Sequence, residues 1–275
     1  MSEIVIPGIC EISSNDYHSH FAISRSRLTK MRKTPRHYYH EYKNIDFIKP
    51  EPTAAMIFGS AYHTKILEPH LFEKEYFALP ELDRRTKDGK ALYQLTVEHN
   101  AGKQVLNNEQ YLLLDAMAHE MKKNDEAMLI IEGSKVEQSL FWIDEETNIP
   151  LKIRPDIWND QIIGDLKTTD NAAEWAFKNS LEQYGYHIQA AMIREGFLRV
   201  MNMDMRDFIY IVQEKTAPYA IAIYILSEEA LEEGHMEFRR LLEKLSECIE
   251  TDNWPSYPTK IINLPSYVKY RSDEE

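Results

Sequence analysis

The sequence predicts a mixed α/β (α+β) fold, a sheet with helices on its faces. Three observations carry this. Five short runs rich in β-branched and aromatic residues, KVEQSLFWI, PLKIRPDIW, QIIGDLKTT, FIYIVQE and YAIAIYIL, read as strands. Stretches with apolar residues at helical spacing precede, separate and follow them. The 275 residues are 43% hydrophobic, 28% charged and 11% aromatic, which is globular composition with ample material for a core.

In chain order, Ser24 or Ser26 is placed to cap a helix running to about residue 42, stopped or kinked near Pro35. KPEPT reads as a linker, and AAMIFGSAYHTKIL as a helix that ends before Pro69. Residues 81–103 carry Arg84, Arg85, Lys87, Asp88, Gly89 and Lys90, and are expected as a mobile basic loop. Helices are predicted over 108–123 and 125–132. The first three β-rich runs, separated by DEETN and ND, imply an antiparallel meander. Helices near 171–179 and 181–201 follow, then two strands joined through KTAP and an amphipathic helix over 227–250. We expect one domain over 1–275: a helical part over 1–75, the sheet over 135–226 and the closing helix.

No run approaches the roughly 18 consecutive apolar residues of a membrane span, and no membrane partner is expected. MSEIVIPGICEISSND lacks a basic region followed by an apolar core, so no signal peptide is expected. Cys10 and Cys248 are the only cysteines. They exclude a disulfide framework and any four-cysteine zinc or iron–sulfur site within the chain. A reducing, cytoplasmic setting is expected. The formal net charge of −13 argues against nucleic acid, but it hides an asymmetry. Between Ser24 and Lys43, Arg25, Arg27, Lys30, Arg32, Lys33, Arg36 and Lys43 face a single acid, Glu41, whereas the 227–252 segment is strongly acidic. A basic side and an acidic side are expected.

The chemistry centres on Arg154-Pro155-Asp156 and Asp165-Leu166-Lys167. Alternate side chains of a strand share a face, so Asp165 and Lys167 point with Ile163 while Leu166 points into the opposite layer. Asp156 lies on the preceding strand, with Lys152 and Arg154 on its face. Paired in a hairpin, the strands bring two carboxylates and an ammonium to one patch, which calls for a cation. Oxygen ligation suits Mg²⁺ or Mn²⁺. The same residues also serve as solvated groups of an ordinary hairpin. Gly59 and His63 lie one turn apart on a helix face, where a glycine admits a close neighbour. Glu137 lies in a strand, and Gln189 shares a helix face with Tyr186.

The order GSAYH, strand Glu, PD, DLK, YHIQ resembles the PD-(D/E)XK nuclease superfamily, RecB-type branch. It is closer still to the RecE-type exonucleases (exonuclease VIII) and their phage relatives, whose opening resembles NDYHSHFAISRSRLTKMRKTPRHYYHEY. The similarity covers residues 15 to 192. It implies a restriction-endonuclease-like mixed central sheet flanked by helices, in a bacterial or phage-encoded protein.

The resemblance further implies that His63, Asp156 and Asp165 bind a divalent metal, helped by the backbone carbonyl of Leu166, with Glu137 as a further acidic ligand. Lys167 would act on the nucleophilic water, and Gln189 and Tyr186 would hold it or the DNA. Many RecB-type members have a tyrosine four residues after the glutamine; Ile193 stands there, so that role is lost or moved to Tyr184 or Tyr186. Ser24, Arg25 and Ser26 are expected at a 5′-phosphate or duplex end. The implied activity is Mg²⁺-dependent (Mn²⁺ substituting) digestion of linear double-stranded DNA from its ends, 5′ to 3′. The implied partners are those DNA ends, further copies in a trimeric or tetrameric ring, and a RecT-like single-strand annealing protein. An endonuclease or single-strand nuclease on the same fold, or a non-catalytic DNA-end-binding protein, stays open.

Overall fold

The computed structural model describes residues 7–80, 85–205 and 207–264. The N-terminal part contains β1 (Gly8–Cys10), α1 (Ser14–Ser19), α2 (Arg25–Leu28), a 3-10 turn over Thr29–Arg32 and α3 (Pro35–Tyr42). Then come α4 (Ala54–Leu67), α5 (Pro69–Glu75), β2 (Tyr76–Leu79), α6 (Lys87–His99), β3 (Gln104–Asn107), α7 (Asn108–Lys122) and α8 (Asp125–Ile131). The central part has β4 (Lys135–Val136), β5 (Ser139–Ile143), β6 (Pro150–Ile153), β7 (Ile157–Trp158), β8 (Ile162–Thr169), α9 (Glu174–Gln183) and α10 (Tyr186–Met201). Strands β9 (Asp207–Glu214) and β10 (Ile221–Ile225) and helix α11 (Glu228–Thr251) follow.

The main sheet has the order β10-β9-β8-β7-β4. Its β8–β9 pair is parallel and the others antiparallel, so the sheet is mixed as predicted. Parallel neighbours need a crossover connection, and α9 with α10 provides it. The meander is present in its pairings but broken in the middle. KVEQSLFWI splits into β4 and β5, PLKIRPDIW into β6 and β7, and the halves β5 and β6 join β1 in a separate three-stranded sheet. Pro155, which has no N–H to give a ladder, stands at one break. Glu137, at a left-handed φ of 51°, stands at the other.

In the main sheet, side-chain alternation divides the buried apolar residues between two cores. Trp158, Ile163, Tyr210 and Val212 pack with α10 and α11, through Ile188, Phe197, Phe238 and Leu242. Ile157, Leu166 and Ile211 face α4 and α7, through Tyr62, Leu114 and Met117. Leu166 therefore points away from Ile163, as the period of two requires.

The basic helix is interrupted ahead of Pro35, as expected: Leu28 ends the first piece and Pro35 opens α3, capped by Thr34, because within a helix a proline is tolerated only in the first turn. Much of its charge is spent internally, Arg27 donating to the carbonyl of Phe21 and Arg32 to Glu182. Two expectations are corrected. Residues 87–99 form a helix capped by Thr86 and not a loop; Arg84 lies outside the described residues. Lys152 does not join Asp156. It is buried and bonds the carbonyls of Tyr17 and His20. Among the described residues, no helix is long and apolar enough to cross a membrane.

Candidate active site

The two strand breaks lie side by side, the N–H of Glu137 donating to the carbonyl of Asp156 at 3.2 Å. A non-glycine residue at positive φ costs on the order of 1–3 kcal/mol and persists only where its surroundings fix it. Here Arg154 does so: its Nε donates to Glu137 Oε2 at 2.6 Å, while its Nη1 anchors to the Ile12 carbonyl at 3.0 Å and Ser139 Oγ at 3.1 Å. The left-handed turn lifts Glu137 out of the strand alternation and aims its carboxylate at Asp156.

Helix α4 brings His63 to the same place. Its Nδ1 lies 3.3 Å from Asp156 Oδ2, the oxygen that also accepts the Leu166 N–H at 2.7 Å. His63, Glu137 and Asp156 each offer a ligand atom within 4.8 Å of the other two. Burial works against a charged His63, yet the Asp156 carboxylate raises it to about 9. Burial, reinforced by the charge of Asp156, pushes Glu137 up to about 7. Burial would raise Asp156 too, but the charges of His63 and Lys167 and the Leu166 N–H hold it below its ordinary value. Two crowded carboxylates and an imidazole, ion-paired to each other, form a set that a hard divalent cation satisfies. The residues fit such an ion, and the His63 side chain keeps 26% exposure, so solvent reaches the group.

Asp165 sits beside this trio and bonds elsewhere. Its Oδ2 accepts from Lys167 Nζ and its Oδ1 from Gln189 Nε2 at 2.6 Å. Burial and the neighbouring Asp156 charge raise Asp165, against the pull of Lys167. Lys167 Nζ also lies over the Tyr186 ring, 4.6 Å from its centre. Gln189 in turn accepts from Arg25 Nη2 at 3.1 Å, and Arg25 Nη1 reaches the Tyr184 carbonyl at 3.1 Å. Ser24 and Ser26, whose hydroxyls are 3.0 Å apart, flank Arg25.

The structure thus places His63, Glu137 and Asp156 in one group, and Asp165, Lys167, Gln189, Tyr186 and Arg25 in an adjoining one. Leu166 contributes its main-chain N–H, its side chain being buried against α4 and α7. Ile193 is core, so the tyrosine position four after Gln189 is apolar. Around Gly59 a Cβ would meet nothing within 4 Å, so among the described residues none uses the close approach expected there. Arg154 as the clamp on Glu137 was not anticipated. Its signal was an arginine two residues before Asp156, on the strand opposite Glu137.

The family model for a PDDEXK-like domain of unknown function (DUF3799) matches residues 24–263. No curated protein matches the sequence. Among solved structures, a "putative exonuclease" from Eubacterium rectale superposes with a TM-score of 0.59 at 14% identity, over 91% of this chain and 97% of that one. At that identity the likeness is one of fold. A second, SSO0001, is 18% identical over 72% of this chain and 88% of its own, with a TM-score of 0.29. Pro155-Asp156, just before β7, and Asp165-Leu166-Lys167 on the neighbouring β8 lie inside the matched span, and the chain belongs to the PDDEXK-like domain family DUF3799, within the PD-(D/E)XK superfamily.

Proposed function

We propose that the chain is a Mg²⁺-dependent deoxyribonuclease, Mn²⁺ substituting, that hydrolyses phosphodiesters of linear duplex DNA from an end, 5′ to 3′. The observation that carries this reading is the convergence of His63, Glu137 and Asp156 beside a lysine paired with Asp165. Membership of the PDDEXK-like family and the exonuclease name given to the Eubacterium rectale protein support it. The similarity of the sequence to RecE-type enzymes supports the end-directed mode.

His63, Glu137 and Asp156 would hold the cation, which supplies charge neutralisation at phosphorus and acidifies water. Lys167, held by Asp165, orients a water toward phosphorus and offsets the charge that develops on the phosphoryl oxygens. Gln189 holds Asp165 so that the Lys167 ammonium keeps one position. Arg25 has a planar fork suited to phosphate and lies between the Ser24 and Ser26 hydroxyls, a polar group for a 5′-phosphate. The resemblance also implies Asp165 as a ligand, and its oxygens, which accept from Lys167 and Gln189, each keep a lone pair for a cation.

A ring of three or four copies with its basic face inward and an annealing protein receiving the 3′ strands belong to the same proposal. They rest on the resemblance and on the basic run between Ser24 and Lys43. Sedimentation on linear DNA tests the ring, and a monomer at saturating DNA overturns it. For the activity, a linear duplex labelled at one 5′ end is compared with a closed circle. Release of label from the linear form alone is expected. Cutting of the circle would give the endonuclease reading, and tight end binding without cutting the binding-protein reading.

A further inference from the structure

We propose that Tyr184 is a nucleobase-stacking residue, holding the base next to the scissile phosphate. The inference rests on the nuclease reading and extends it to how the strand is gripped. Tyr184 ends α9 and is 52% exposed, whereas Tyr186 and Gln189 beside it are half-buried. Its ring centre lies 5.6 Å from that of Tyr186, whose ring lies 4.6 Å from Lys167 Nζ. The exposed face is therefore one ring away from the lysine that would meet phosphorus, which is the separation a nucleoside has to bridge.

The main chain that carries the ring is held at both of its polar groups. The Tyr184 N–H bonds to the Ser180 carbonyl at 2.9 Å, and its own carbonyl is held by Arg25 at 3.1 Å. Gly185 follows in the left-handed conformation, φ 65°, and lets α10 start at the next residue. A Cβ at Gly185 would lie 3.2 Å from Ile188 Cδ1. A large aromatic face left in solvent, fixed at its main chain, with Arg25 on its carbonyl and Lys167 one ring away, combines the two elements of single-strand binding: a stacking platform and positive charge. Every base has a π-face, so this contact is tolerant of sequence, as an enzyme that digests any strand requires.

Steady-state cleavage of a 5′-phosphorylated duplex by wild type, Tyr184→Ala and Tyr184→Trp tests the proposal. The same duplex with abasic nucleotides at its two 5′-terminal positions serves as the second substrate. Trp175→Ala is the control, an exposed aromatic at the far end of the same helix. Tyr184→Ala should raise KM about tenfold on the normal duplex, with the loss on KM rather than kcat. Tyr184→Trp should restore it, and on the abasic duplex wild type and Tyr184→Ala should be equal. An unchanged KM for Tyr184→Ala, or an equal loss on both substrates, overturns the stacking role. End-placed 2-aminopurine, followed in chelator, reports on stacking without cutting: wild type should quench it and Tyr184→Ala should not. A wild type that cuts nothing yet quenches 2-aminopurine sinks the nuclease reading alone, and cutting without a Tyr184-dependent quench sinks the stacking role alone.

Discussion

Arg25 Nη2 donates to Gln189 Oε1 at 3.1 Å, and this fixes which end of the Gln189 amide meets Asp165. A guanidinium offers only donors, so it selects the amide oxygen and leaves Nε2 for the carboxylate, at 2.6 Å. A residue 164 positions earlier in the chain thus orients the group that holds the partner of Lys167.

Replacing Gln189 by Leu removes that hold while keeping the volume. The Asp165–Lys167 pair then loses its outer support, and cleavage should fall about 10- to 100-fold, as for other supporting groups around metal sites. Circular dichroism and melting should stay close to wild type. A fully active Gln189→Leu protein would contradict the arrangement.

Cation binding should strengthen with pH. His63, raised to about 9, and Glu137, raised to about 7, hold protons that a ligating cation must displace. Affinity for Mn²⁺ should therefore climb about tenfold per unit between pH 7 and 9, more steeply below 7, and level off above 9. Calorimetry in buffers of different ionisation enthalpy measures the released protons. His63→Ala should flatten the upper part of the curve, and a pH-independent affinity in wild type would be inconsistent with these ligands.

At the opposite end of α10, Arg239 bonds Asp144 Oδ1 at 2.5 Å and Glu146 at 2.7 Å, with Glu195 at 3.4 Å. Asp144 is buried, so Arg239→Leu strands its carboxylate without a cation, while Glu195 keeps His235 at 3.0 Å. A loss of about 3–5 kcal/mol in urea unfolding is expected. Burial raises Asp144, but Arg239 and Thr147 lower it further, leaving it below its ordinary value. The stability it gives is therefore present at neutral pH and is lost as pH falls below the ordinary aspartate range. The Arg239→Leu protein should lack that part of the acid sensitivity.

Helices α10 and α11 cross at Gly234, where a Cβ would lie 2.3 Å from the His187 carbonyl oxygen. Main chain cannot yield as a side chain does. Gly234→Ala should cost about 1–3 kcal/mol or more by forcing the helices apart, visible as a lower melting temperature. A melting point equal to wild type would show that the crossing is looser than the structure has it.

The sequence made Asp165, Lys167 and Ile163 readable as one face and Leu166 as the other because strand alternation is a local rule. Asp156 followed from the hairpin, and α4 from its cap at Thr53 and its stop before Pro69. What escaped depends on tertiary partners. The left-handed turn at Glu137 is held by Arg154, 17 residues away, so local propensity gave an unbroken strand. Lys152 shares the parity of Asp156, but the break at Pro155 separates them and the N-terminal carbonyls claim its charge. Helix α6 buries none of its residues and contains Gly89, so its pattern looked like a loop.

The most direct test of the site is cleavage of a linear duplex labelled at one 5′ end, by wild type and by Lys167→Ala, with Mg²⁺ or with chelator. We expect label release by wild type only, only with Mg²⁺, and a Lys167→Ala protein that binds DNA ends but releases at least about 100-fold less label. Cutting in chelator, or a Lys167→Ala protein as fast as wild type, would contradict the assignment of His63, Glu137, Asp156, Asp165 and Lys167 as a metal-dependent phosphodiesterase site.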